Sequence, residues 1–210
     1  DAQVMQAIKA AGFDYIEVLE GNLTKYSDNI EELKTMLKEN GLEMMSVCLG
    51  ANFIYKDALE DEMAHVEAVC RAAADAGVTY LVVCGGAIRA GGIQPGDCEL
   101  LAGGLKPLMR IAEKYGLVPC FHPHLGSIAE KPGEIDALLR LSDIKVCPDL
   151  AHLAAGGYDP LEFLKKYYDR IAFVHLKDLD DHGFAPLGTG RIDIKGAVNY
   201  LKSRGYDGDW

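Results

Sequence analysis

Punctuation is the feature that most constrains this chain. Short apolar runs of β-favouring composition, Tyr15 to Leu19, Leu42 to Leu49, Tyr80 to Cys84, Leu117 to Phe121, Ile144 to Cys147 and Ile171 to Val174, alternate with longer amphipathic stretches. The helical patterns are Ala2 to Ala11, Asn29 to Glu39, Asp61 to Ala76, Glu99 to Tyr115, Pro132 to Leu141, Pro160 to Tyr168 and Ile194 to Arg204. Several close on a glycine with the next apolar run following at once, as in ENGLEMMSV, DAGVTYLVV and KYGLVPCF. Each strand is thus reached through a helix and not through a two-residue hairpin turn, which predicts parallel strands with helical crossovers.

Repeated αβ units leave two architectures, an open doubly wound sheet or a closed (β/α)8 TIM barrel. The order of the strands separates them, because a doubly wound sheet reverses at a switch point. The chain opens on a helix with no strand before it and stops at GYDGDW, where another strand is due. The expectation is an α/β fold of the (β/α)8 TIM-barrel type truncated at both ends, with strands one and eight missing. No Pro/Ser-rich linker interrupts the alternation, so residues 1–210 read as a single partial barrel domain. The segment GGAIRAGGIQPGD lacks the spacing of a phosphate loop and reads as a βα connection near an active site.

Composition narrows the partners. With 21 Lys and Arg against 32 Asp and Glu the net charge is −11, the wrong sign for phosphate backbones or anionic lipid. No apolar run reaches the ~18 to 20 residues that span a bilayer, and no basic-then-apolar leader opens the chain. The expected setting is cytoplasmic, with no nucleic acid and no membrane as partner. Six scattered cysteines without a C-x-x-C pair, most of them within apolar runs, read as free thiols of a reducing compartment.

Polar residues gather at the ends of three successive runs, in CFHPHLGS, KVCPDLAH and FVHLKD. In a barrel these are the C-terminal ends of strands five, six and seven, where catalytic groups stand. His122, Asp149 and His175 fall 27 and 26 residues apart, one αβ unit each, and so converge on one point of the rim. That is a metal-site constellation, with His124 on the same strand face as His122. Its mixed N/O donors suit Mn²⁺, Co²⁺, Fe²⁺ or Zn²⁺ better than Mg²⁺ or Ca²⁺. Each residue also has a plainer role: Asp149 and Asp178 as helix N-caps, His152 as a backbone hydrogen-bonding partner, His65 and His182 as surface residues.

The segments IEVLEGN, CFHPHLGS, CPDLAHLAAGGYDP, RIAFVHLKDL and FAPLGTGRID, in this order, resemble the sugar phosphate isomerase/epimerase superfamily of xylose isomerase-like barrels. Within it HPHLGS, D-x-x-H and HLKD are most similar to the inosose (2-keto-myo-inositol) dehydratases. The resemblance implies a divalent metal, Mn²⁺ or Co²⁺ first, at the C-terminal mouth, and a small polyhydroxy ketone as substrate. Asp149 and His175 match its strand-six and strand-seven ligands. His122 stands where many relatives carry a glutamate that is both ligand and base, so His124 or Glu130 are alternatives there. The family's strand-eight glutamate is expected just beyond Trp210.

A metal chelated by a ketone oxygen and its vicinal hydroxyl stabilises an enediolate, which reprotonates in isomerases and epimerases or loses a β-hydroxyl in dehydratases. The motifs favour dehydration of a keto-inositol, with a keto-sugar isomerase or epimerase as the alternative. His122 or His124 is the expected general base, Lys177 a proton or hydrogen-bond donor, and Glu17, His152, Lys177 and Arg191 the substrate-binding groups. A non-catalytic sugar-binding barrel is the reading from another class, and a homo-oligomer is compatible with any of these. The 210-residue chain alone is expected to be nearly inactive.

Overall fold

The computed structural model describes residues 2–210. Its centre is a five-stranded parallel sheet of β1 (Tyr15–Leu19), β2 (Glu43–Ala51), β3 (Tyr80–Gly85), β4 (Val118–His122) and β5 (Lys145–Val146). The spatial order is the sequence order, without a reversal. This is the wall of a barrel and not a doubly wound sheet. The sixth expected strand, Ile171 to Val174, continues the wall through single parallel bridges, Val146 to Ile171 and Asp149 to His175, and Asp209 adds beside Phe173. It forms no continuous ladder, and the fifth run shortens to two residues, because Pro148 and the helix that begins after it leave few backbone groups to pair.

The wall is rolled. On a flat sheet five strand spacings would set β1 about 24 Å from the run at 171–175. Instead Glu17 of β1 and His175 are 3.3 Å apart.

Around the wall run α1 (Ala2–Ala10), α2 (Glu20–Thr24), α3 (Ile30–Glu39), α4 (Leu59–Asp75), α5 (Asp97–Lys114), α6 (Pro132–Leu141), α7 (Leu150–Ala155), α8 (Pro160–Lys166) and α9 (Ile194–Ser203). The glycine stops work as the sequence predicts. Gly77 takes φ +81°, and the Val78 N–H returns to the Ala73 carbonyl; Gly116 at φ +75° lets Leu117 do the same to Ala112. Satisfying the last carbonyls in this way turns the chain straight into the next strand. Helix α7 starts behind Asp149, in line with the N-cap reading of that residue, whereas α2 and an antiparallel hairpin, β6 (Asp178–Asp180) with β7 (Gly183–Ala185), were not expected from the sequence.

Both faces of the wall are buried, as parallel sheets require. On β3, Leu81 and Val83 point outward to the helices, whereas Val82 points inward to Cys120, Cys147 and Phe173. Tyr80 stacks on Phe173 at 5.0 Å inside the barrel. A Cβ at Gly104 of α5 would stand 2.5 Å from the Phe53 side chain, so α5 approaches the loop after β2 only because that position is glycine. All six cysteines are free thiols, buried or half-buried, and no helix among the described residues is long and apolar enough to cross a membrane.

Candidate metal and substrate site

Three strand ends deliver the site. β4 runs out at His122, which is 4% exposed. Asp149 follows β5 and opens α7, where its Oδ1 accepts the Ala151 and His152 N–H groups at 2.9 and 3.0 Å. The N-cap role and the site role therefore coexist, one on each oxygen. Asp149 Oδ2 faces inward, 4.0 Å from His122 Nε2, 3.9 Å from His175 Nδ1 and 4.0 Å from Lys177 Nζ. Asp178 is not a helix cap: it begins the hairpin, and its carboxylate takes the N–H groups of Leu179, Gly188, Gly190 and Ile192. Burial opposes its charge, but these four donors hold its pKa below the ordinary value.

His122, Asp149 and His152 offer ligand atoms all within 4.8 Å of one another, a spacing that one metal ion fits. His122 turns Nε2 toward Asp149, and its other nitrogen, Nδ1, is buried without a hydrogen-bond partner among the described residues. Burial first, and then the imidazoles of His175, His152 and His124, hold the His122 pKa well below its ordinary value, so the ring is a neutral ligand-type base. Burial raises the Asp149 carboxyl, against the pull of its backbone donors, Lys177 and His175. The residues present thus fit a divalent cation, whose charge would relieve a desolvated carboxylate among uncharged rings.

Two details sort the histidines further. His152 Nδ1 accepts the Leu125 N–H at 3.2 Å, and burial, with His124, Lys177 and His175, lowers its pKa to about 3. The neutral ring carries its proton on Nε2, which stands 3.2 Å from Lys177 Nζ. Two donors meeting at one place suit an oxygen acceptor, so His152 has the geometry for a ligand oxygen as well as a place in the three-residue group. His175 Nε2 faces Glu17 Oε2 at 3.3 Å, and Ser46 Oγ donates to the same Glu17 oxygen at 2.7 Å. His124 places Nδ1 2.6 Å from the Leu125 carbonyl, a donor contact that leaves Nε2 as the basic nitrogen.

The remaining sequence-predicted groups lie elsewhere. Arg191 is exposed and pairs with Asp181 at 3.2 Å. Glu130 accepts the Gly126 N–H at 2.6 Å and so braces its own loop. His65 faces Glu20. The Gly-rich connection after β3 is closed by Arg89, which donates to buried Asp97 and to the Ile54 carbonyl. Sequence reasoning missed Ser46 and Phe184. Ser46 was visible as a polar residue inside the apolar run LEMMSVCLG, in register with Glu17. Phe184 carried no signal, because the hairpin that presents it was read as loop.

Residues 5–208 match the xylose isomerase-like TIM barrel family. The chain belongs to that family. It is 33% identical to an inosose dehydratase of Clostridium perfringens (strain 13 / Type A) over 98% of this chain and 79% of that protein. Against an inosose dehydratase of Geobacillus kaustophilus (strain HTA426) it is 29% identical over 93% and 68%. Among solved structures, a 3-keto-D-glucoside 4-epimerase from E. coli superposes with a TM-score of 0.80 at 22% identity, over 99% of this chain and 84% of that one. A D-psicose 3-epimerase from Clostridium cellulolyticum H10 also gives 0.80, at 18% identity, over 99% and 77%. In this family's barrel the polar cluster lies at the C-terminal ends of the strands, the end at which such barrels carry their chemistry.

Proposed function

We propose that this protein is a divalent-metal-dependent enzyme that removes water from a small cyclic keto-polyol of the keto-inositol type. The observation that carries the reading is Asp149 Oδ2, a buried carboxylate oxygen outside the helix cap, ringed by His122, His175 and Lys177 within 4.0 Å. The relatives named inosose dehydratase support the choice of substrate. His122, Asp149 and His175 would hold the ion, with Mn²⁺ or Co²⁺ favoured by the N/O donors. When bound, it supplies Lewis acidity toward vicinal oxygens and so acidifies the carbon-bound proton beside a ketone.

The chain's own groups divide the remaining work. His122 is held neutral by burial and serves as a ligand, and the same lowered basicity makes it a poor proton acceptor. His124, with its Nδ1 engaged by the Leu125 carbonyl and Nε2 left basic, takes the proton. Lys177 and the Nε2–H of His152 converge and bind one substrate oxygen, and Lys177 can protonate a departing hydroxyl. Glu17 turns His175 so that Nδ1 faces Asp149.

The test is metal dependence together with product identity. The full-length protein stripped with EDTA should lose turnover of keto-inositol and recover it on addition of Mn²⁺ or Co²⁺, with a product lighter by one water. Turnover that survives EDTA would overturn the metal reading. Epimerisation of the substrate without loss of water would keep the metal and move the protein to the epimerase branch.

A further inference from the structure

We infer that the half-exposed ring of Phe184 is a specificity-determining platform that selects ring-form polyols over open-chain ones; the inference rests on the proposed sugar-type site and names a wall of it. Phe184 sits on the β6–β7 hairpin and is 53% exposed, beside groups that are polar or charged. Its ring lies 5.2 Å from the His152 ring, tilted by 34°. His152 in turn lies 4.1 Å from His124 at 39°, and His124 lies 5.4 Å from His122. Four aromatic rings thus run from the hairpin down to the candidate ligands.

The hairpin that carries Phe184 is anchored. Asp178 ties its first residue to Gly188, Gly190 and Ile192 through backbone donors, so the 178–192 excursion is closed on itself at its base. Lys177 Nζ stands over one face of the Phe184 ring, 3.5 Å from its centroid, while the ring as a whole stays half-exposed, so a donor and open apolar surface meet on one side chain. An aromatic face next to a fixed ammonium suits a ligand with C–H groups on one side and hydroxyls at its edge. A carbocyclic or pyranose polyol has that shape, because its ring gathers C–H bonds on a face while hydroxyls point outward. An open-chain polyol presents no such face and would first have to order its torsions.

Binding of two unreactive probes, myo-inositol and D-glucitol, which are equal in carbons and hydroxyls, tests this by calorimetry on the full-length protein. The wild type should prefer the cyclic probe, and Phe184→Leu should weaken that probe roughly 3- to 10-fold while leaving D-glucitol within twofold. Phe184→Trp should retain the preference. Equal losses for both probes would mean that Phe184 only steadies Lys177, and would overturn the inference. So would no preference in the wild type, or no change in Phe184→Leu. Thermal unfolding and Mn²⁺ binding of Phe184→Leu should match wild type, since the ring is half-exposed and touches His152 and Lys177 but no residue proposed to hold the ion. If the wild type binds the cyclic probe but turns over no keto-inositol with metal present, the catalytic reading falls and the platform stands.

Discussion

Asp149 Oδ2 lies 4.0 Å from His122 Nε2, and it is the carboxylate oxygen that the α7 cap leaves free. One side chain therefore starts a helix and charges a site, and the two roles separate by substitution. Asp149→Asn keeps an oxygen for the cap but removes the charge. Its unfolding midpoint should stay within a few degrees of wild type while Mn²⁺ affinity falls by roughly 100-fold or more, beyond the 10- to 100-fold typical of outer partners. Asp149→Ala should lose about 1 kcal/mol more stability than Asp149→Asn, because the N–H groups of Ala151 and His152 lose their acceptor. Metal content after gel filtration and thermal melts check both. Unchanged metal affinity in Asp149→Asn would remove Asp149 from the ligand set.

In the proposed site Glu17 acts through His175. With Ser46 holding one of its oxygens at 2.7 Å, Glu17 is poised to accept the Nε2–H of His175 and fix the tautomer that presents Nδ1 to Asp149. Glu17→Gln keeps the size but weakens that acceptor, and should lower metal affinity 10- to 100-fold with little change in fold. Ser46→Ala should show a smaller loss of the same kind. Competition with a chromophoric chelator measures both, and an effect of Glu17→Gln on substrate binding alone would assign Glu17 to substrate instead.

The strand order and the convergence of His122, Asp149 and His175 were legible because they rest on periodicity, and αβ punctuation sets periodicity over the whole chain. Three ligand-type residues one αβ unit apart must meet at one rim once the strands run in order. Less legible was anything that depends on where a loop returns. The LDDHGF segment folds into a hairpin because Gly183, at φ +130°, turns the chain back and because Asp178 gathers N–H groups from as far as Ile192. No local pattern marks that gathering. Which ring nitrogen each histidine leaves free was also hidden, since it follows from the Leu125 N–H and carbonyl, which engage His152 and His124 respectively.

Asp178 is the anchor of the excursion over the site. Asp178→Ala would leave the N–H groups of Gly188, Gly190 and Ile192 without their acceptor and should cost about 1 to 3 kcal/mol. The loss should be local. Hydrogen exchange should speed up over residues 183–192 while the β3 and β4 amides keep their protection. Uniform acceleration along the chain would show instead that Asp178 supports the global fold.

Acid sensitivity follows from the buried imidazoles. His122 and His152 both titrate below the ordinary histidine value of 6.5, through burial first and next through the neighbouring imidazoles, with Lys177 adding to the effect at His152. In the unfolded chain the same rings take up protons near pH 6.5, so below that pH the unfolded state binds more protons and stability falls as pH falls. For His152 the loss continues until the folded ring itself titrates, at about pH 3. Between pH 7.5 and 5.5 the His152 ring should withdraw about 1.4 kcal/mol, and His122 acts in the same direction. Asp149 works in the opposite sense: its raised pKa gives stability that is present in acid and lost as pH rises through the folded value, and its window opens from 3.8 upward. Two histidines against one carboxylate, with the histidine window at the higher pH, give a net fall. Thermal melts of the EDTA-treated protein should therefore drop on going from pH 7.5 to 5.5, and His152→Gln should flatten the drop. A midpoint constant over this range would mean that these rings protonate freely in the folded chain, and with that the neutral-ligand role of His122 would be lost.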